Sequence, residues 1–162
     1  MNATEPRDDR YLAPKGSTTV FNRLVIRATR MGLSVWGSRE LRVRGRHSGE
    51  VRTVPVNLLA IGEQEFLVAP RGTTQWVRNL RAAGGEGELR LGRRIETFVA
   101  TELADAEKVE VLRAYLRRWK FEVGAFFDGV DASATDEELL AVAPGYPVFR
   151  LDRAGDSRNR RA

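Results

Sequence analysis

The sequence predicts an α+β protein that is mainly β, a barrel of about six antiparallel strands with helices at its periphery. Two observations carry this prediction. Short segments rich in β-branched and apolar residues follow one another with glycine-containing turns between them, which is typical of successive β-hairpins. Amphipathic helical patterns stand before and after these segments, and the order of helix, hairpins, helices and strand fits a small barrel covered by helices.

The first predicted element is an amphipathic helix over residues 20–31, with apolar residues on one face and arginines on the other. A second helix is predicted over residues 75–83, between the third and fourth strands. Five strand candidates have the composition of half-buried strands and lie around this helix: Arg39–Arg44, Arg52–Ile61, Glu65–Ala69, Glu88–Leu91 and Ile95–Leu103. Glycine turns join the second candidate to the third and the fourth to the fifth, so both pairs are predicted hairpins.

The last third of the chain predicts two helices and a closing strand. Asp105 is expected to cap a helix whose apolar stripe extends to Trp119. Thr135 and Glu138 have the spacing of a capping box for a short helix through residue 141, and a final strand is predicted over residues 146–151. Residues 1–16 and 152–162 are polar and aperiodic, so we expect flexible segments on either side of one domain over residues 17–151.

Composition excludes several classes of site. At 162 residues the chain has the size of one domain, and it contains no apolar run near the ~20 residues that cross a bilayer. No signal-peptide pattern opens it, so a cytoplasmic location is expected. The chain has no cysteine and one histidine, so the sequence predicts no metal site and no cysteine nucleophile.

The basic charge does not by itself identify a partner. The net charge is +5, but the arginines are spread along the chain beside acidic neighbours rather than gathered in one stripe, so no nucleic-acid interface is predicted. The arginine face of the 20–31 helix could contact anionic lipid headgroups, which would place the protein peripherally at the membrane. A helix docked on the barrel with its arginines in water is the simpler interpretation.

One candidate anion site lies in the predicted turn between the first two strands. Gly45 and Gly49 flank Arg46, His47 and Ser48, and Arg52 follows three residues later. Glycines allow the backbone to approach a ligand closely, and guanidinium forks match phosphate or carboxylate oxygens. A solvated basic hairpin tip explains the same residues equally well.

A second candidate site follows the third strand and leads into the 75–83 helix. Its residues are Ala69, Pro70, Arg71 and Gly72. Thr73 or Thr74 is the expected N-cap. A glycine turn at a helix N-terminus presents free N–H groups, and Arg71 adds a charge beside them. Asn79 is expected to bond backbone in a neighbouring loop, whereas core packing is the simpler explanation of Trp76.

The two segments in this order and spacing, together with Pro55 and Val56 and the closing residues 147–151, resemble the deazaflavin-dependent nitroreductase family over residues 22–151. That resemblance implies a split β-barrel that binds coenzyme F420 and transfers a hydride to a lipophilic acceptor such as a quinone, nitro compound or activated double bond. Split barrels commonly pair, so it also implies a homodimer.

The resemblance also implies residue roles. The coenzyme's phosphate and acidic tail would contact Arg46, His47, Ser48, Gly49 and Arg52. The deazaflavin ring would lie between the strand at Pro55 and Val56 and the segment at Ala69, Pro70, Arg71 and Gly72, and Trp76 and Asn79 would support that wall.

This chain departs from the family pattern in two places. It has His47 where many members have Lys or Arg, and it lacks a glycine-rich insert after the third strand. The sequence assigns no catalytic acid; Tyr115 and Tyr146 are the available proton donors, and a core role explains Tyr115 better. An FMN-binding split barrel and a non-enzymatic carrier of a lipophilic ligand are the alternative functions.

Overall fold

The computed structural model describes Tyr11 and residues 37–123, 126–127 and 129–153. Six antiparallel strands form a closed barrel in the order β1-β2-β3-β6-β5-β4. The strands are β1 (Ser38–Arg44), β2 (Val51–Ile61), β3 (Gln64–Val68), β4 (Glu86–Leu91), β5 (Arg94–Glu102) and β6 (Val148–Arg153). The helices are α1 (Gln75–Ala82), α2 (Val109–Val123) and α3 (Asp136–Val142). The predicted mainly β barrel is confirmed, whereas the predicted 20–31 helix lies outside the described residues.

The three predicted hairpins form, and three non-local pairings complete the barrel. Strand β1 pairs with β2, β2 with β3 and β4 with β5. The closing pairings join β1 to β4 and β3 to β6, and β6 also pairs with β5. Strands β1, β3 and β5 therefore run in one direction, and their carboxyl ends lie at the same end of the barrel.

Alternation along the strands produces two cores. Inward residues such as Leu41, Leu67 and Phe149 fill the barrel and are at most 2% exposed. Outward residues on β3, including Phe66, pack against the apolar face of α2, where Leu116 is buried. The barrel is therefore a packed core rather than a channel, and its ends are the places where a ligand could bind.

Strand boundaries differ from the prediction for reasons that involve tertiary contacts. Strand β4 begins two residues early because Gly87 lies against Phe98, where an added Cβ would come within 2.6 Å of the ring. Strand β6 begins at Val148 rather than residue 146 and continues through Asp152 and Arg153, which were predicted to be flexible. Arg153 is held there by ion pairs with glutamates of β3 and β5.

The helix caps confirm one prediction and correct another. The Thr135 hydroxyl accepts a hydrogen bond from the Glu138 amide at 3.2 Å, and the Glu138 carboxylate accepts from the Thr135 amide at 2.8 Å, so the capping box is confirmed. Asp105 does not cap α2. It begins a separate 3₁₀ turn, Asp105–Glu107, and its carboxylate accepts a 2.7 Å bond from the buried Lys108 ammonium.

Candidate functional site

The two candidate segments lie at the same end of the barrel. The β1–β2 turn, residues 45–50, follows the carboxyl end of β1, and the β3–α1 segment, residues 69–74, follows the carboxyl end of β3. Since β1 and β3 both pair antiparallel with β2, their carboxyl ends point to the same end of the barrel, although along β2 they lie at Val51 and near Leu58. Barrel topology therefore brings together segments that are about 20 residues apart in the chain.

The β1–β2 turn is tight and internally bonded. The Gly45 amide donates to the Glu50 carbonyl at 2.7 Å, and the Gly49 amide donates to the Gly45 carbonyl at 2.9 Å. Glycine is needed at position 49, where φ is 70°, and at position 45, where an added Cβ would lie 3.0 Å from the Ser48 hydroxyl. The two glycine amides thus close the turn. The backbone amides of His47 and Ser48 donate to no described residue.

Exposed charges of both signs surround this turn. Arg44 donates to the Gly49 carbonyl at 2.8 Å and so stabilises the turn. Arg52 is 62% exposed, and its guanidinium lies 3.5 Å from the Glu50 carboxylate. No role was predicted for Glu50, although it lies between the glycine turn and Arg52 in the sequence. Its carboxylate reduces the positive potential that an anion would meet.

Arg46 joins the turn to helix α1. Its Nη1 donates to Gln75 Oε1 at 3.0 Å and to Asn79 Oδ1 at 2.9 Å, and its backbone amide donates to Asn79 Oδ1 at 3.3 Å. Asn79 is 6% exposed, so this contact is largely shielded from water. The predicted bond from Asn79 to a neighbouring loop is confirmed. Gln75 was missed, although two amide side chains four residues apart lie on the same helix face.

The β3–α1 segment contains buried polar atoms without a partner among the described residues. They are Nε of Arg71 and the hydroxyl of Thr74. Thr74 occupies the N-cap position of α1, as expected, but its side chain makes no capping bond. Gly72, with φ of 81°, reverses the chain before the helix. Arg71 Nε can donate and the Thr74 hydroxyl can donate or accept, so these two atoms offer hydrogen bonds to a ligand.

The predicted wall residues are only partly brought together. Trp76 lies over the barrel core, with its ring centroid 5.8 Å from that of Phe149, as the packing interpretation expected. Pro55 and Val56 pair with Glu40 and Arg39, near the start of β1 and away from the turn. The Val56 side chain is buried in the barrel core, while Pro55 lies on the other strand face. The pairing of Leu58 with Leu67 places Pro55 and Val56 next to the carboxyl end of β3, so the wall roles that the resemblance implies for them stay predictions.

The core role expected for Tyr115 is confirmed, and Tyr146 is also buried. Tyr115 is 2% exposed, and Tyr146 is fully buried with its hydroxyl donating to the Phe126 carbonyl at 2.6 Å, so neither candidate proton donor reaches the site. The third tyrosine, Tyr11, forms an isolated antiparallel bridge with Gly72 and is 40% exposed. It lies at the site even though it belongs to the segment predicted to be flexible, and no local sequence signal marked it.

None of the helices in residues 37–123 and 129–153 combines the length and apolar character that crossing a membrane requires. The same part of the chain contains no group of three His, Asp or Glu side chains arranged to hold a metal ion.

Comparison with known proteins gives a family match and several distant structural matches. The family described as F420H(2)-dependent quinone reductase matches residues 28–138, more than half of the chain. No curated protein sequence gives a significant match. One solved structure, described as a domain-swapped dimer, is 17% identical, covers 84% of this chain and 95% of its own, and has a TM-score of 0.53, which supports the barrel fold.

Two further solved structures are less similar to this chain. An F420-H2 dependent reductase, FDR-A, is 18% identical over 72% of this chain and 94% of its own, with a TM-score of 0.48. A conserved hypothetical protein from Mycobacterium tuberculosis is 14% identical over 90% of this chain and 84% of its own, also with a TM-score of 0.48.

Proposed function

Because the chain belongs to the F420H(2)-dependent quinone reductase family, we propose that the β1–β2 turn and the β3–α1 segment hold the reduced coenzyme while a quinone is reduced. The coenzyme supplies the hydride when it is bound, so the protein's work is to bind, orient and exclude water. The observation that carries the proposal is the pair of hydrogen bonds from Arg46 to Gln75 and Asn79, which join the β1–β2 turn to the helix that follows the β3–α1 segment.

The residues present fit a long anionic coenzyme. At the turn, the amides of His47 and Ser48 and the exposed Arg52 offer donors to phosphate and carboxylate oxygens. At the β3–α1 segment, Arg71 Nε can donate and the Thr74 hydroxyl can donate or accept, which suits the carbonyl and N–H groups of a deazaflavin ring. Binding at both segments would also satisfy these two buried atoms.

Arg46 is held in a position that favours anion binding. Its Nη1 makes both side-chain bonds, and its Nε and Nη2 donate to no described residue. The amide oxygens of Gln75 and Asn79 therefore orient the guanidinium without neutralising it. A fork that is already ordered loses little side-chain entropy when an anion binds.

The acceptor would meet the aromatic ring of Trp76 at the edge of the site. Trp76 is partly exposed and lies against the barrel core beside Phe149. A flat aromatic acceptor could stack near this surface, and a site without a buried acid suits a reaction in which the second step is protonation by solvent. Quinones match this description, and nitro compounds and activated double bonds remain acceptors to be tested.

Removing the acidic charge beside the turn should strengthen coenzyme binding. We expect Glu50→Gln to lower the dissociation constant for F420 about threefold at low ionic strength, because the repulsion between this exposed carboxylate and the coenzyme disappears. The measurement is a fluorescence titration at two salt concentrations. Glu63→Gln removes the same charge from the β2–β3 turn at the other end of the barrel and should have no effect. Equal effects of the two variants would contradict the proposed site.

The direct test compares oxidised F420 with FMN. We expect F420 to quench tryptophan fluorescence saturably, with a Kd of about 10 μM or lower, and FMN to do so more weakly. The conservative variant Trp76→Phe should lose most of the quenching while retaining binding by calorimetry. Quenching by FMN alone would favour the flavin alternative, and no response to either would favour a carrier of a lipophilic ligand.

The cellular setting of the enzyme remains a prediction from the sequence. We propose a cytoplasmic enzyme that meets lipophilic quinones at the membrane surface, using the arginines of the 20–31 segment. A homodimer is also proposed, and one similar protein is described as a domain-swapped dimer.

A further inference from the structure

The end of the barrel opposite the coenzyme site has a concavity of about 370 Å³ with charged walls. We call it the charged mouth. It is lined by five charged residues, Arg39, Glu65, Arg94, Glu96 and Arg153, and by two leucines, Leu89 and Leu91. No site was predicted here from the sequence, because these residues come from five strands and form no local motif.

Topology separates the charged mouth from the site described above. Its residues stand at the starts of β1, β3 and β5 and at the ends of β4 and β6. The β1–β2 turn lies beyond the other end of β1, six residues from Arg39, which corresponds to about 20 Å at the rise of a β-strand. The barrel core, including Leu41 and Leu67, fills the space between the two ends.

An ion-pair network organises one side of the mouth. Arg153 donates through Nε to Glu65 at 2.6 Å and through Nη1 to Glu96 at 2.8 Å. Arg94 pairs with the other oxygen of Glu96 and is 80% exposed, so it forms the rim. Both glutamates are therefore engaged by Arg153, and three arginines face two carboxylates, which leaves one positive charge in excess.

Arg39 faces this network from β1. Burial lowers the pKa of its guanidinium, the carboxylates of Glu65 and Glu96 oppose that change, and the charge of Arg153 adds to it. The cationic form of Arg39 is thus less stabilised than that of a solvated arginine. An added negative charge inside the concavity would improve its environment, since electrostatic attraction is stronger where water is partly excluded.

We propose that the charged mouth binds a small organic monoanion, whose carboxylate lies between Arg39 and Arg94 and whose apolar part lies on Leu89 and Leu91. The excess positive charge selects an anion over a neutral molecule or a cation. The leucine wall favours a ligand with an apolar body over a bare inorganic ion, and the volume accommodates an aromatic ring with a single acidic group. This inference does not depend on the proposed coenzyme site.

A purely structural role makes a different prediction. If the network only closed the end of the barrel, organic anions would bind no better than neutral molecules of the same shape. Removing Arg94 would then change neither benzoate binding nor, to any large extent, the stability of the fold, because exposed ion pairs contribute little to stability. Benzoate and benzamide are a matched pair for this comparison, because they share size and ring but differ in charge.

The test is a titration of the full chain, uniformly labelled with ¹⁵N, with sodium benzoate and in parallel with benzamide. We expect saturable shifts of amides near Arg39, Glu65 and Glu96 with a benzoate Kd of about 1 mM or lower, and at least tenfold weaker binding of benzamide. Arg39→Gln should weaken benzoate binding about tenfold while leaving F420 affinity unchanged. If Arg39→Gln does not fold, Arg94→Gln at the exposed rim should weaken benzoate binding about threefold.

Equal responses to benzoate and benzamide, or benzoate shifts confined to the β1–β2 turn, would overturn the proposal. Benzoate binding that is unaffected by both arginine variants would overturn it as well. Because F420 affinity is measured in the same samples, a failure here would be distinguishable from a failure of the coenzyme site.

Discussion

Replacing Arg46 by alanine is expected to weaken F420 binding about thirtyfold without unfolding the protein. The substitution removes a guanidinium whose Nε and Nη2 are available to an anion, and it also breaks the bonds to Gln75 and Asn79 that hold the turn against α1. The measurement is the F420 dissociation constant from fluorescence titration, with circular dichroism to confirm the fold. The loss should be smaller at high salt, where charge–charge attraction is screened.

Arg93→Ala is the matched control for this variant. Arg93 is exposed in the β4–β5 turn at the other end of the barrel, so its removal lowers the net charge equally without touching the site. We expect a change of less than about twofold, because an exposed charge that far away is largely screened. Arg46→Ala and Arg93→Ala with similar affinities would mean that overall charge, rather than the turn, attracts the coenzyme.

Gly85→Ala is expected to destabilise the fold by about 3 kcal/mol or more. Gly85 has φ of 86° in the connection between α1 and β4, and an added Cβ would lie 2.2 Å from the Ala100 carbonyl oxygen. That oxygen belongs to the backbone of β5, and the Ala100 amide donates to the Gly85 carbonyl at 2.8 Å, so neither the connection nor the strand can move away easily. The measurement is the midpoint of urea denaturation.

The neighbouring glycine provides the comparison. Gly84 also has a positive φ, 64°, but an added Cβ would meet nothing within 4 Å. Gly84→Ala should therefore cost about 1 kcal/mol, the strain of the left-handed conformation alone. The difference between the two variants isolates the contact with β5. If both variants had the same midpoint, the close approach of the α1–β4 connection to β5 would be wrong.

The site shows where local patterns were sufficient and where they were not. Glycines around Arg46 predicted a tight turn, and a polar Asn79 within a short helix predicted a bond to a nearby loop; both are present. The partnership between these two residues, 33 positions apart, depends on α1 lying beside the β1–β2 turn. Local propensity contains no information about that adjacency, because it is created by the packing of Val77 and Leu80 of α1 into the barrel core.

Tertiary contacts also decided the errors. Asp152 and Arg153 were predicted to be flexible, but Arg153 pairs with Glu65 and Glu96 and β6 continues through both residues. Asp105 has the chemistry of an N-cap, yet the buried Lys108 ammonium recruits its carboxylate instead. In each case a contact from elsewhere in the fold outweighed a correct local preference.

The sequence by itself determined the hairpins, the capped α3 helix and the antiparallel barrel class. These follow from hydrophobic alternation, turn glycines and short-range hydrogen bonds, all of which act between near neighbours in the chain. Only the tertiary structure decided that Arg46 joins two segments into one site and that Arg39 and Arg153 face the same concavity at the other end. Both arrangements require the long-range pairings of β1 with β4 and of β3 with β6, which place distant residues at a common barrel end.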